Sequence, residues 1–312
     1  MLVEHSATSP RTGPLFHARD PDYINPIKYS QSTPRHWATA PLETRPNYYT
    51  MRPNILSQRL QQGAPTLGTH IHTTWPSMVE AIGHTGHYDY VEFVAEYAPF
   101  DLHDLDNLGR AGDLYDLSMM IKVDAEHRAY VAQRAVGSGF HSVLFADVRS
   151  AEEAAECVRC VRADHPDEGG TYGVATRRFT YMGYGGSKAY VEALRDVVVV
   201  VMIEKQSAVD QLEEILDVDG VDMIQWGSAD YSMNIGRPGE RTIPEVLEAQ
   251  EFIFRKALEK GVPPRVELNA LDGSQQPFLD MGVRHFCIGT DVTILHSWWD
   301  DNGAQLRNEL KG

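Results

Sequence analysis

The chain of 312 residues has only three cysteines and no long apolar run. Cys157, Cys160 and Cys287 are too few for a disulfide framework, so the cytoplasm is the compartment expected by default. No stretch approaches the roughly 20 apolar residues that a membrane-spanning helix needs. The N-terminal MLVEHSATSPRTGPLFHARD lacks the apolar segment of a secretory signal. We therefore expect no membrane among the partners.

Basic side chains are also scarce, since 28 Lys and Arg face 44 Asp and Glu and give a formal net charge of -16. A charge of that sign disfavours nucleic acid and anionic membranes as partners, because both are negatively charged. It does not exclude an anionic small molecule, because a metal ion and local basic residues set the field inside a site.

The most informative stretch runs from Val197 to Gly236 and contains two apolar runs, each followed by an acid. The first run, VVVVVMI, is typical of a strand buried on both faces and leads directly into Glu204. The second run, VDMIQWG, comes shortly before Asp230. If both strands are parallel, the two acids share the catalytic end of a β/α barrel and describe a Mg²⁺ or Mn²⁺ site. A salt bridge at Glu204 and a helix cap at Asp230 fit the spacing equally well.

Strand-like and helix-like segments alternate eight times along the rest of the chain. The first predicted strand is TLGTHIH and the eighth is HFCIGTD. This alternation predicts an α/β fold, a (β/α)8 TIM barrel, over residues 54–312. Residues 1–53 are rich in Pro, Thr, Ser, Arg and Tyr, and they predict an irregular N-terminal arm.

The two acids lie in a sequence that resembles the metal-binding core of the HpcH/HpaI aldolase / citrate lyase β-like family. The family pattern is roughly [VI]-E-[ST]-x-x-A-[LV], then G-[VI]-D-x-[VIL]-x-x-G-P-x-D-[LY]-S-x-x-x-G. This chain departs from the pattern at Ser228, where the family usually has Pro. The matching positions are Glu204, Ala208, Gly220, Asp222, Gly227, Asp230, Ser232 and Gly236.

The resemblance covers about Asn54 to Leu310 and implies a metal site and a reaction. Glu204 and Asp230 are the implied ligands of a divalent ion, Mg²⁺ first, with Mn²⁺ or Co²⁺ as alternatives. The implied reaction is a carbon–carbon lyase reaction of the aldolase type on a 2-oxo or hydroxy acid, through a metal-stabilised enolate. The family also implies a homo-oligomer, a hexamer built from dimers, in which the segment after Leu295 crosses to a neighbour.

Several positions that line the site in the family carry other residues here. This chain has Tyr97 at the position of the family's His base, and Val94 at the position of the Asp that orients that base. Lys122 stands where the family has an Arg at the end of the third strand, and Met202 stands where it has a Gln two residues before the metal-binding Glu. These changes indicate an altered reaction or substrate on a retained metal site.

The residues expected to carry the chemistry follow from that alignment. Tyr97 and Lys122 are the first catalytic candidates, because a nearby cation lowers the pKa of a phenol. His72 and His127 are further candidates for the base, or metal-bound water takes that role. Substrate contacts are expected from Lys122, Met202, Tyr172 of the long Gly- and Tyr-rich loop, Gly227, Ser228 and Ala229.

Three other functions remain open at this point. Decarboxylation of an oxaloacetate-like acid needs no His base, because CO2 leaves as the enolate forms. A carbon–carbon bond former that traps the enolate is a variant of the same chemistry. A barrel that holds a metal without turnover is the alternative from outside enzymology.

Overall fold

A closed barrel of eight parallel strands forms the centre of the computed structural model, which describes residues 52–174 and 185–311. The strands pair in chain order, and β8 closes the barrel against β1. The predicted (β/α)8 TIM barrel is confirmed. The strands are β1 Thr66–Ile71, β2 Tyr90–Val94, β3 Ser118–Val123, β4 Ser142–Phe145, β5 Val198–Ile203, β6 Met223–Trp226, β7 Pro264–Leu268 and β8 His285–Thr290.

Helices connect the strands around the outside of the barrel. The segment after Glu204 forms two short helices, α7 and α8, because Gln211 between them leaves the helical conformation. The helices are α1 Ile55–Gln61, α2 Pro76–Gly83, α3 Leu102–Leu114, α4 Arg128–Ser138, α5 Ala151–Val161, α6 Lys188–Arg195, α7 Gln206–Asp210, α8 Leu212–Leu216, α9 Ser228–Asn234, α10 Pro244–Lys260, α11 Gln276–Met281 and α12 Asp291–Glu309.

The core has two apolar layers, one on each side of the sheet. Every residue of β5 is buried, because one face meets the helices and the other fills the barrel. The inner layer includes Met120, Leu144 and Val200, and it receives Leu56 from α1. Asn54 attaches α1 to the barrel, since its side-chain amide donates to backbone oxygens of His141 and Asp196, both at 2.7 Å.

One compact unit covers Met51–Gly312. The predicted arm of residues 1–53 lies almost wholly outside the described residues, so the domain boundary stays a prediction. No helix within residues 52–174 or 185–311 is long and apolar enough to cross a membrane.

Candidate active site

Glu204 and Asp230 lie at the carboxyl ends of two neighbouring strands. Glu204 directly follows β5, and Asp230 lies in the first turn of α9, after β6. The strands are in register at Ile203 and Trp226, and the Gly227 N–H donates to the Ile203 carbonyl at 3.1 Å. This register brings the two predicted metal ligands to one edge of the barrel mouth.

The carboxylate of Glu204 is buried, with only 1% of the residue exposed. Its Oε1 accepts a hydrogen bond from the Asp147 backbone N–H at 2.7 Å. Its Oε2 is buried without a hydrogen-bond partner among the described residues. Burial raises the pKa of Glu204 to about 7, although the Asp147 N–H and the more distant Lys122 and Lys205 oppose the shift.

Glycine is required beside this carboxylate. A Cβ at Gly227 would lie 2.4 Å from Glu204 Oε2 and 2.8 Å from the Met202 side chain. The first glycine after β6 is therefore a feature of the site, because it leaves room for the carboxylate and for whatever the carboxylate binds.

Asp230 is the more exposed of the two acids and belongs to a short chain of charges. Lys205 Nζ lies 2.6 Å from Asp147 Oδ1 and 3.4 Å from Asp230 Oδ1. Sequence reasoning missed both Asp147 and Lys205. The signal was available for Asp147, because it is an acid two residues after the buried strand β4, at the same end of the barrel as Glu204.

These features fit a divalent cation. Glu204 and Asp230 supply hard carboxylate oxygens, which Mg²⁺ and Mn²⁺ prefer. Glu204 is buried with an oxygen to which no described group donates a hydrogen bond, and an uncompensated buried charge is costly. Asp230 also raises the pKa of Glu204, after burial, so a shared cation would relieve both burial and repulsion.

A cavity of about 380 Å³ opens at this edge of the barrel. Its wall contains six of the residues predicted from the sequence to contact metal or substrate. They are Lys122, Met202, Gly227, Ser228, Ala229 and Asp230. The structure thus brings together residues from β3, β5 and the β6–α9 segment.

Lys122 is held by an acid of the β2–α3 segment. Its Nζ forms an ion pair with Glu96, and both side chains are largely buried. Burial lowers the pKa of Lys122, but Glu96 outweighs burial and the net shift is upward. Lys122 is therefore a permanent cation in the cavity wall at neutral pH.

Tyr97 lies apart from this cavity wall. It is 82% exposed and has a left-handed backbone, with φ 59°. The cation expected to activate it, Lys122, pairs with Glu96 instead. The pKa of Tyr97 is raised, first by Asp147, so the basic phenolate form is even rarer at neutral pH than usual.

The other predicted residues also lie away from the cavity. His72 follows the last residue of β1 and is exposed, and its backbone N–H donates to Asp291 Oδ1 at 2.9 Å. His127 is exposed at the start of α4, where it lines a separate, shallow depression with Tyr130. Tyr172 is buried on the outer side of the barrel, and its hydroxyl donates to the Gln133 carbonyl of α4 at 2.9 Å.

A second polar group inside the barrel was missed by sequence reasoning. We call it the Arg265 cluster, and its members are His70, Glu92, Gln225, Arg265 and Glu267. Arg265 is fully buried and contacts both Glu92 and Gln225, and it donates to the Tyr90 hydroxyl at 2.7 Å. The available signal was the charged residues at alternate positions of β7, in a strand otherwise expected to be apolar.

Three members of this region have ligand atoms close enough to hold a metal ion. His70, Glu92 and Cys287 offer such atoms within 4.8 Å of one another. The Arg265 guanidinium already contacts Glu92 and lies 3.3 Å from His70 Nε2. Because this cation compensates the acid, these three residues fit a divalent ion less well than Glu204 and Asp230 do.

Comparisons with known proteins agree with this architecture. A family model, HpcH/HpaI aldolase/citrate lyase, matches residues 67–295, well over half of the chain. A 5-keto-4-deoxy-D-glucarate aldolase of Shigella sonnei (strain Ss046) is 28% identical over 167 residues, which are 54% of this chain. The match spans 64% of that relative, less than two thirds of its length.

Solved structures of the family have the same barrel. A HpcH/HpaI aldolase/citrate lyase family protein from Burkholderia cenocepacia J2315 has a TM-score of 0.71 and 27% identity, and the match covers 83% of this chain and 100% of that one. The HpcH/HpaI aldolase from Desulfitobacterium hafniense DCB-2 has a TM-score of 0.73, with 82% and 97% covered. At 23% identity, the second likeness shows the fold alone.

Proposed function

The chain belongs to the HpcH/HpaI aldolase/citrate lyase family, and on that premise we propose a divalent-metal-dependent carbon–carbon lyase that acts on a 2-oxo or hydroxy acid. The observation that carries this proposal is the buried Oε2 of Glu204, which packs beside the cavity-lining Gly227 and has no hydrogen-bond partner among the described residues. Glu92 also has a buried oxygen without a hydrogen-bond partner, but its other oxygen pairs with Arg265, whereas no described cation pairs with Glu204. In an aldolase family, a buried carboxylate without a counter-charge is best explained as a metal ligand.

Glu204 and Asp230 would hold the ion, Mg²⁺ first, with Mn²⁺ or Co²⁺ as alternatives. When bound, the ion supplies Lewis-acid stabilisation of the negative charge that develops on an oxo acid. The Asp147 N–H fixes Glu204 by hydrogen bonding to Oε1, which leaves Oε2 free for the ion. Lys205 balances the charge of Asp147 and Asp230 at the rim.

Lys122 and Met202 line the rest of the cavity. We propose that the Lys122 ammonium, kept charged by Glu96, attracts the carboxylate of the substrate. Met202 is buried and apolar, so it restricts water at that wall. Gly227, Ser228 and Ala229 complete the wall beside Glu204 and would contact the substrate.

None of the three side chains predicted as the base lines the cavity. Tyr97, His72 and His127 lie outside the cavity, and His70 within it is engaged by Glu92 and Glu267. This arrangement favours a second candidate, decarboxylation of an oxaloacetate-like acid, which requires no base at carbon. An enolate-trapping bond former belongs to the same class.

Substrate panels distinguish these functions. Pyruvate release from 4-hydroxy-2-oxo acids is measured in parallel with CO2 release from oxaloacetate, with Mg²⁺ and with EDTA. The proposal expects one of the two activities, lost in EDTA and restored by Mg²⁺. If metal-loaded protein shows neither, the alternative of a non-catalytic metal-holding barrel is favoured. Activity that EDTA leaves unchanged contradicts the metal proposal.

We also propose that the chain is a cytoplasmic homo-oligomer, a hexamer built from dimers. The support is α12, in which only Asp291 is buried and Trp298 and Trp299 are each more than 60% exposed. Two adjacent exposed Trp side chains favour a subunit contact. Light scattering at micromolar concentration tests this assembly, and a monomer there contradicts it.

A further inference from the structure

Glu267 differs from the other charged members of the Arg265 cluster in its exposure. The side chains of Arg265 and Glu92 are fully buried and that of His70 is 11% exposed, whereas the Glu267 side chain is 39% exposed. Glu267 lines the same cavity as Lys122 and Asp230. One carboxylate of the cluster is therefore open to a ligand bound at the proposed metal site.

The two oxygens of Glu267 have different surroundings. Oε1 lies 3.1 Å from His70 Nε2 and 3.5 Å from Arg265 Nη1, and it accepts a hydrogen bond from the Gln225 side chain. Within residues 52–174 and 185–311, no group donates a hydrogen bond to Oε2, whereas Oε1 accepts one from Gln225. The cluster thus fixes one oxygen and leaves the other for a ligand.

Glu267 is not needed to neutralise Arg265. The guanidinium already contacts Glu92 and Gln225 and donates to the Tyr90 hydroxyl. Burial opposes ionisation of Glu267, but His70 and Arg265 outweigh it and hold its pKa below the usual value. Glu267 is therefore a fixed negative charge in the cavity wall at neutral pH.

We infer that Glu267 binds a hydroxyl group on the part of the substrate distant from the metal-bound oxo acid, and that it disfavours substrates with a second carboxylate there. A fixed carboxylate accepts a strong hydrogen bond from a hydroxyl and repels another carboxylate. The inference rests on the proposed function, because the oxo acid must first bind at Glu204 and Asp230. His70 is then a positioning residue, since it holds Glu267 Oε1.

The cavity is large enough for such a substrate. Its volume of about 380 Å³ lies within the range of roughly 300–1,000 Å³ for small-molecule sites. Asn269 and Thr290 also line it and supply further hydrogen-bonding groups.

A matched series of five-carbon acids tests the inference by binding, without requiring turnover. The ligands are 2-oxopentanoate, 5-hydroxy-2-oxopentanoate and 2-oxoglutarate, which differ only in ending with a methyl, a hydroxyl or a carboxylate. Dissociation constants are measured by calorimetry on Mg²⁺-loaded protein. The wild type should bind the hydroxyl-ended acid about 10- to 100-fold more tightly than either of the others. The six-carbon homologues repeat the comparison for a longer reach.

Glu267→Gln and Glu267→Ala should reduce this preference to about threefold or less, and Glu267→Gln should improve 2-oxoglutarate binding most. His70→Gln should reduce the preference by a smaller factor, because it loosens Glu267 without removing it. Glu248→Gln, on the exposed surface of α10, is the matched control. Thermal unfolding of each variant confirms folding, and the Gln variant decides if the Ala variant does not fold.

The possible outcomes separate this inference from the proposed function. If the wild type binds none of the acids in a Mg²⁺-dependent way, the proposed function fails, and this inference fails with it. If it binds them without a preference for the hydroxyl, or if Glu267→Gln keeps the preference, only the role of Glu267 is contradicted.

Discussion

Two buried glutamates in this barrel have opposite electrostatic surroundings. Glu92 contacts the Arg265 guanidinium, and despite burial Arg265 and His70 hold its pKa well below the usual value. Glu204 is equally buried, but no described Lys, Arg or His lies within ion-pair distance, and burial raises its pKa to about 7. The chain supplies the counter-charge for Glu92, and the proposed divalent ion would supply it for Glu204. Uncompensated burial is thus the feature on which the proposed role of Glu204 rests.

The largest expected effect is a loss of activity at the two proposed metal ligands. Glu204→Gln and Asp230→Asn should each lower kcat/KM for the active oxo acid by about 10³-fold or more, because each removes a metal ligand. Circular dichroism should show an unchanged fold. Glu248→Gln serves as the exposed control and should retain full activity. Full activity in either ligand variant would remove the basis for the metal site.

The same substitution should change stability in opposite directions at the two positions. Glu92→Gln leaves Arg265 with less buried negative charge and should destabilise the protein by about 3 kcal/mol. The folded-state pKa of Glu204 is raised, so its ionised form opposes folding above the unfolded pKa of about 4.5. Glu204→Gln should therefore stabilise the metal-free protein at pH 8, by about 1–3 kcal/mol.

Urea unfolding at pH 8 in EDTA measures both changes. A similar loss of unfolding free energy in both variants would show that Glu204 is compensated like Glu92. Added Mg²⁺ should raise the unfolding free energy of the wild type and not that of Glu204→Gln.

A smaller effect is the pH dependence of stability that comes from His285, the first residue of β8. His285 is buried at the start of β8 beside the Thr66 hydroxyl, 3.0 Å away, and burial lowers its pKa to about 4. Below the unfolded value of about 6.5, the unfolded chain gains a proton that the folded chain does not. Its contribution to stability is full above pH 6.5 and declines by about 1 kcal/mol per pH unit toward pH 4.

Unfolding measured at pH 7, 6 and 5 should show this slope in the wild type. His285→Asn should show a shallower slope, because Asn keeps a hydrogen-bonding group near Thr66 and does not titrate. Equal slopes would show that other groups dominate the acid sensitivity.

The smallest expected effect is at Tyr97. Its ring is exposed and lies outside the cavity, and its raised pKa keeps the phenol protonated at neutral pH, so it is poorly suited to accept a proton from the substrate. Tyr97→Phe should change kcat by less than about threefold. A loss of about 10²-fold, the scale of general acid–base catalysis, would show that the phenol reaches the substrate during turnover.

The barrel and the metal edge of the site were predictable from the sequence because local patterns specify them. Buried strands read as β-branched runs, and an acid that ends such a run lies at the catalytic face. Glu204 and Asp230 follow this rule, and Gly227 and the cavity-lining Lys122 lie at the same end of the barrel.

The remainder of the site depends on contacts between strands distant in sequence. The pairing of Arg265 with Glu92 joins residues 173 positions apart. The side chain of Lys122 forms its ion pair with Glu96, the residue that precedes Tyr97. Tyr97 is exposed and has a left-handed backbone conformation, which is unusual for a residue other than glycine and is not predicted by the sequence. Such features appear only when the barrel has closed.

Direct measurement of metal binding tests the central claim, that Glu204 and Asp230 hold a divalent ion. Free Mn²⁺ is followed by electron paramagnetic resonance during titration of wild type, Glu204→Gln, Asp230→Asn and Glu92→Gln. Loss of a residue that only supports a ligand costs about 10- to 100-fold in affinity. We therefore predict at least about 100-fold weaker binding in Glu204→Gln and Asp230→Asn, and a change below about threefold in Glu92→Gln. Wild-type affinity in Glu204→Gln, or its loss in Glu92→Gln alone, would contradict the account.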